Sequence, residues 1–176
     1  MTKSNMERLR GAIRDIPDFP KKGIIFKDIT PLLKDRRLFS LAVEQMIGPF
    51  KDERIDAVVA IEARGFILGG AIAHLLDCGM IPVRKAGKLP FTTESVTYEL
   101  EYGTDKLEIH SDAIEKGDRI LVVDDLLATG GTAVAVCELV ERNGGDVVGI
   151  SFLVELTFLK GREKLNNYPV HALIKY

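Results

Sequence analysis

The chain is poor in cysteine and histidine, and neither is arranged for chemistry. Cys78 and Cys137 are its only two cysteines in 176 residues. Both sit in helix-like stretches at no metal-binding spacing, which points to a reduced, cytosolic protein rather than a disulfide scaffold. His74, His110 and His171 are scattered, and His74 lies in an apolar helix-like run where a structural role is expected. No apolar run approaches the ~20 residues of a membrane span. The N-terminus, MTKSNMERLR, lacks the apolar centre of a secretory signal. Positive charge is not in excess: 24 Lys and Arg stand against 26 Asp and Glu, a formal net charge of −2. That balance argues against a general nucleic-acid binder, while a local cluster of bases still suffices for a small anionic substrate. Several motifs are missing as well. A Walker A loop fails at Gly87-Lys88, because Leu89 follows and Pro82 stands where the first glycine belongs. There is no G-x-G-x-x-G, H-E-x-x-H, EF-hand loop or G-x-S-x-G.

What is present is ordinary for a globular protein: 46% hydrophobic and 28% charged residues. One domain over 1–176 is the natural expectation, and a chain of this length buries roughly two-thirds of its unfolded surface. A short polar helix is predicted over 5–15, broken by Pro17 and Pro20, with a short apolar piece at Ile24–Phe26. Residues 35–50 carry a helical stripe opened by Asp35 as N-cap. Two βαβ-like units follow. The first runs from strand 55–61 through the loop EARG and a helix to strand 80–84. The second runs from strand 119–125 through LLATGG and helix 132–143 to strand 147–156. Near-continuous apolar strands alternating with helices predict a central parallel sheet flanked by helices. Between the units, 86–110 is a polar insertion. Its second half alternates like exposed strands around a turn at 102–105, and a polar insertion of this length in a compact α/β domain is more often a functional lid than a structural need.

The segment Ile120–Thr132, ILVVDDLLATGGT, carries the chemistry. It reads as an apolar strand ending in Asp124 and Asp125, a small-residue loop, and a helix start. Ligands of open parallel sheets bind beyond the carboxyl ends of the strands. Glycines let backbone N–H groups approach an anion, and a helix N-terminus adds donors and a favourable dipole. The adjacent carboxylates would repel a bare phosphate but suit sugar hydroxyls or a Mg²⁺ ion. The combination asks for a sugar phosphate.

These residues resemble the signature of the type I phosphoribosyltransferases, which covers VVDDLLATGGT at 122–132. Further segments resemble the adenine-specific members of that family: PDFPKKGIIFKDITPLL at 17–33, EARGF at 62–66, RKAGKLP at 84–90, LEYGTDKLEIH at 100–110 and LVELTFLKGREKL at 153–165. The resemblance runs nearly end to end. It implies an α/β fold with a small N-terminal hood, mainly 1–34, and a mobile catalytic loop at about 88–105. It also implies a cytoplasmic purine-salvage enzyme that transfers the 5-phosphoribosyl group of PRPP to adenine, giving AMP and pyrophosphate. Mg²⁺ would be carried mainly by PRPP, with Asp124 or Asp125 reached through water. The partners implied are these small molecules and a second copy of the chain, with neither nucleic acid nor membrane.

Residue by residue, the resemblance assigns Asp124 and Asp125 to the ribose hydroxyls. Ala128, Thr129, Gly130, Gly131 and Thr132 go to the 5′-phosphate. Ala63, Arg64 and Gly65 go to pyrophosphate, with a cis Glu62–Ala63 peptide. Arg84 and Lys88 are also assigned to pyrophosphate, with action across a dimer interface left open for Arg84, and Lys85 could equally supply that charge. Glu101 becomes the acid/base residue, with Tyr102 beside it. Ile25, Phe26 and Lys27 read adenine, and Leu156 packs against it. Three positions depart from the family pattern. Lys27 stands where relatives often carry Arg, Glu62-Ala63 replaces an Asp-Ser pair, and Ala86 replaces a basic residue. Two rivals are a salvage enzyme acting on hypoxanthine or xanthine, and a non-catalytic purine sensor, which should lack Glu101 and carry a DNA-binding extension.

Overall fold

The computed structural model describes residues 3–99 and 104–176. The chain divides into two compact units, Met1–Gln45 and Met46–Tyr176.

The smaller unit begins with α1 (Lys3–Gly11), then β1 (Arg14–Pro17) and β2 (Ile25–Asp28), which pair antiparallel with Ile16 opposite Phe26. The helix expected over 5–15 therefore ends at Gly11, because Arg14–Pro17 is taken into this ribbon. Between the strands, the Asp18 carboxylate accepts the Gly23 amide at 2.7 Å. A second short helix, α2 (Thr30–Lys34), did not emerge from the sequence pattern. Asp28 accepts the Thr30 amide at 2.9 Å, and Pro31 suits the first helical turn. In α3 (Arg36–Met46), Asp35 caps as expected: its carboxylate accepts the amides of Arg37 at 2.9 Å and Leu38 at 3.0 Å. The stripe expected to reach residue 50 stops at Met46. Gly48–Phe50 forms a separate 3₁₀ turn around Pro49.

The larger unit is a seven-stranded sheet. Its strands are β3 (Ala57–Ile61), β4 (Gly79–Lys85), β5 (Thr93–Glu99), β6 (Thr104–His110), β7 (Arg119–Leu127), β8 (Asp146–Glu155) and β9 (Val170–Lys175). The order is β5-β6-β4-β3-β7-β8-β9. From β4 to β9 all pairings are parallel, while β6 joins β4, and β5 joins β6, antiparallel. The sheet is covered on both faces, so β3 is buried along its whole length. Val58 and Ala60 point towards α4 (Gly65–Leu76), where Gly69 allows close approach: a Cβ there would sit 2.4 Å from the Ala60 Cβ. Val59 and Ile61 face the other way, in one cluster with Ala133, Val136 and Val140 of α5 (Gly131–Arg142).

Two expectations change. The β5–β6 ribbon is not an exposed appendage, because Val96, Leu107 and Ile109 are buried in the α5-side core. The sequence pattern also missed β9. Its Ala172, Leu173 and Ile174 are buried beside β8, but the polar His171 and Lys175 at its ends break the apolar run. No helix among the described residues is long and apolar enough to cross a membrane.

Candidate active site

β3 and β7 are neighbours, but their connections leave in opposite directions, β3 to β4 on one side and β7 to β8 on the other. Such a switch point opens a crevice beyond the strand ends. A cavity of about 450 Å³ lies there. Glu62, Ala63 and Arg64 line it from the end of β3; Asp124, Asp125, Ala128 and Thr132 line it from β7 and the start of α5. Lys85, Tyr98 and Leu107 line it from the β4–β6 side. An adjoining pocket of about 70 Å³ is bounded by Ala128, Thr129, Gly130 and Thr132.

The two aspartates differ. Asp125 is buried, and Arg64 Nη2 lies 2.7 Å from its Oδ2. Asp124 Oδ1 accepts the Asp125 amide at 2.8 Å. Burial, then the charge of Asp125, pushes the Asp124 carboxyl well above the usual range. Burial also raises Asp125, with Arg64 opposing it. The pair is therefore less open to solvent than a strand-edge position suggests. Gly65 follows from the same crowding, because a Cβ there would stand 2.8 Å from Asp124 Oδ1. The Glu62–Ala63 peptide is cis, as expected.

The turn before α5 depends on a contact that the sequence did not reveal. Gly130 has φ of +81°, and a Cβ there would meet the Gly161 carbonyl oxygen at 2.4 Å. A Cβ on Gly161 would in turn meet the Ala128 carbonyl oxygen at 2.2 Å. The Gly161 segment is pinned by Arg162. Its Nε and Nη2 donate to the buried Glu155 carboxylate at 3.0 and 2.6 Å, and Nη1 donates to the Val170 carbonyl at 2.7 Å. That pairing holds the Glu155 carboxyl below its ordinary range against the opposing effect of burial.

The basic cluster divides. Arg84 and Lys88 both turn to Glu62, at 3.1 and 3.0 Å, and do not line the cavity. Lys85 does line it, with its ammonium 2.7 Å from Asp105. The hydrogen bond and charge of Asp105 raise the Lys85 pKa. Strand alternation sends Arg84 and Lys85 to opposite faces of β4. Glu62, Tyr98 and Gly161 are thus contributors beyond those the sequence motif singled out, and Lys85, the alternative to Arg84 and Lys88, is the one of the three that lines the cavity.

The other expected residues stand as follows. On β2, Ile25 is exposed, Phe26 packs edge-on against Phe19 at 5.1 Å, and Lys27 Nζ bonds Asp15 at 2.6 Å. Leu156 directly follows β8, and its amide donates to the Leu127 carbonyl at 2.9 Å. Glu101 and Tyr102 lie outside the described residues. His74, expected inside the helix packing, is exposed on α4.

A parallel sheet whose strand β7 carries two carboxylates just past its pairing with β3, followed by a glycine turn against a helix start, defines a phosphoribosyl-binding class of α/β protein. In accord with this, the phosphoribosyl transferase domain family matches residues 33–171. The adenine phosphoribosyltransferase of Halothermothrix orenii is 60% identical over 167 residues, covering 95% of this chain and 98% of its own. The crystal structure of the adenine phosphoribosyltransferase of Rhodothermus marinus superposes with a TM-score of 0.96 at 55% identity, covering 99% of this chain and 100% of its own. The Saccharomyces cerevisiae enzyme, solved with an imino-altritol bisphosphate and adenine, gives 0.92 at 41% identity, over 98% of this chain and 99% of its own. The chain belongs to the phosphoribosyltransferase family, in its adenine phosphoribosyltransferase branch.

Proposed function

We propose that the protein transfers the 5-phosphoribosyl group of PRPP to adenine, yielding AMP and pyrophosphate, as a step of purine salvage. The observation that carries this reading is the Asp124–Asp125 pair near the C-terminal end of β7, in a cavity that opens towards the Ala128–Thr132 turn.

In this reading Asp124 and Asp125 accept hydrogen bonds from the ribose hydroxyls, and residues 128–132 at the start of α5 take the 5′-phosphate. Arg64, with Ala63 and Gly65, meets the pyrophosphate together with Arg84 and Lys88. As the anomeric bond to pyrophosphate breaks, positive charge grows on the ribose and negative charge on the leaving group. In this reading the aspartates face the first and the basic residues the second. Glu101 serves as the acid/base residue at the purine. Base recognition falls to Ile25, Phe26 and Lys27: Phe26 stacks on adenine, and the Ile25 backbone offers a carbonyl to the amino group and an N–H to N1. Hypoxanthine and guanine reverse both polarities.

Among the described residues no group of three or more His, Cys, Asp and Glu side chains converges as a metal cage. Two adjacent carboxylates on β7 fit a Mg²⁺ ion that arrives on substrate phosphates and keeps most of its waters. When bound, Mg²⁺ supplies charge neutralisation of the departing pyrophosphate.

A homodimer belongs to the proposal. The twelve residues of α4 contain no Asp, Glu, Lys or Arg, and Ile67 and Leu75 on its outward face are 48% and 51% exposed. A helix apolar on both faces asks for a partner on each. Cytoplasmic location is proposed because Cys78 and Cys137 form no disulfide with each other.

The test is nucleotide formation from PRPP and Mg²⁺ with adenine, guanine, hypoxanthine or xanthine. Two reversed hydrogen bonds predict a preference for adenine over hypoxanthine in kcat/KM on the order of 10²–10⁴. A ratio below about ten would remove the Ile25 backbone from the specificity argument.

A further inference from the structure

Glu62 is a heavily engaged carboxylate in the cavity wall. Its side chain is 6% exposed. Oε1 accepts the Lys85 amide at 2.7 Å and lies 3.0 Å from Lys88 Nζ; Oε2 lies 3.1 Å from both Lys88 Nζ and Arg84 Nε. Its own amide donates to the Val83 carbonyl at 3.0 Å, prolonging the β3–β4 ladder by one rung. The guanidinium of Arg84 also reaches the Lys88 carbonyl at 3.2 Å. Burial disfavours the charged carboxylate, yet the Lys85 amide, Lys88 and Arg84 hold its pKa below the ordinary value. One carboxylate thus ties the end of β3, the end of β4 and the turn 86–88 together. It is joined by the Glu62–Ala63 peptide to the loop that carries Arg64.

Fold stability alone does not ask for this. A buried carboxylate gripping two long cations costs desolvation and side-chain freedom that apolar packing would not. Lys and Arg left to themselves at a strand end would sample many rotamers. Ordering two cations before an anion arrives removes that cost from binding.

Resting on the proposed assignment of Arg84 and Lys88 to pyrophosphate, we propose that Glu62 is a positioning residue that preassembles Arg84 and Lys88 for the pyrophosphate group of PRPP. Glu62 lines the cavity wall, but its carboxylate is taken up by Arg84, Lys88 and the Lys85 amide rather than offered to substrate. It acts through the two cations and the turn between them. Its effect belongs to ligands carrying pyrophosphate and is absent for AMP, which carries none.

The test uses the full-length chain. In Glu62→Gln, one amide oxygen still accepts the Lys85 N–H, but the NH₂ group confronts Arg84 Nε–H and the Lys88 ammonium, donor against donor. Calorimetric titration with inorganic pyrophosphate and Mg²⁺ is expected to show binding weakened about 10- to 100-fold, the scale of a lost charged hydrogen bond. The KM for PRPP rises alongside. AMP affinity and the KM for adenine stay within about twofold. Glu62→Asp, which keeps the charge, recovers part of the loss. On an Arg84→Gln/Lys88→Met background, Glu62→Gln adds less than about twofold, because the groups it positions are gone.

Pyrophosphate and PRPP values unchanged in a folded Glu62→Gln protein overturn the proposal. So does equal weakening of AMP and pyrophosphate, or a full effect persisting without Arg84 and Lys88. If Glu62→Gln does not fold, Glu62→Asp carries the same comparison with a smaller expected loss, and unchanged binding overturns it. A wild-type protein that makes no AMP from adenine and PRPP refutes the enzymatic reading instead, and the pyrophosphate titrations still decide the role of Glu62.

Discussion

Replacing Gly161 by Ala reaches the phosphate turn from outside the recognised motif. An added Cβ would lie 2.2 Å from the Ala128 carbonyl oxygen and 2.8 Å from the Gly130 nitrogen. Both obstacles are backbone, so no rotamer change relieves them. Arg162, next in sequence, anchors this segment through three hydrogen bonds to Glu155 and Val170, so it cannot easily retreat. The turn must open by close to 1 Å to reach tolerable contact. Such overpacking costs about 1–3 kcal/mol. At about 2–4 °C per kcal/mol for a chain of this size, Tm should fall by about 2–12 °C. A displacement of about 1 Å in a positioning element costs about 10²-fold in rate. The kcat/KM for PRPP should therefore drop by roughly that factor, and AMP binding should weaken with it. Gly11→Ala, where an added Cβ meets nothing within 4 Å, serves as the control and should change neither. A Gly161→Ala protein with wild-type Tm and wild-type AMP affinity would refute the claim that Gly161 props the turn.

Asp124→Asn should cut turnover by about 10²-fold or more while raising the Tm of the ligand-free protein at neutral pH. A carboxyl whose folded pKa is raised binds its proton more tightly when folded, so its stability deficit grows as pH rises from the unfolded value towards the folded one. A thermal melt that falls instead contradicts that burial argument. Arg162→Met strands the buried Glu155 carboxylate and should cost about 3–5 kcal/mol in denaturant unfolding. In the wild type, the Glu155 contribution is present above the unfolded carboxyl pKa and fades as pH falls through the lowered folded value. Glu101→Gln should lower kcat by about 10²–10⁴-fold with AMP affinity kept, measured by steady-state kinetics and calorimetry.

Much of the site could be read along the chain because its parts are contiguous. Asp124 to Thr132 is one strand end, one turn and one helix start, and the strand's apolar run and the helix's period announce both neighbours. Asp35 was legible as a cap for the same local reason. What stayed hidden is what only pairing creates. Gly161 looks like any loop glycine until the 160–162 segment lies on the Gly130 turn. Glu62 looks like a polar residue after a strand until β3 and β4 align in register and bring Arg84 and Lys88 to it. The split of Arg84 from Lys85 depends on which face of β4 each occupies. β9 is too short and too polar at its ends to signal itself without β8, and the buried side of the β5–β6 ribbon shows only once α5 covers it.

The most direct test is a crystal structure of the protein with AMP. It should place both ribose hydroxyls within hydrogen-bond distance, about 2.5–3.2 Å, of the Asp124 and Asp125 carboxylates. The phosphate should sit against residues 128–132 at the start of α5. AMP bound elsewhere, or with its ribose turned away from both aspartates, would contradict the account.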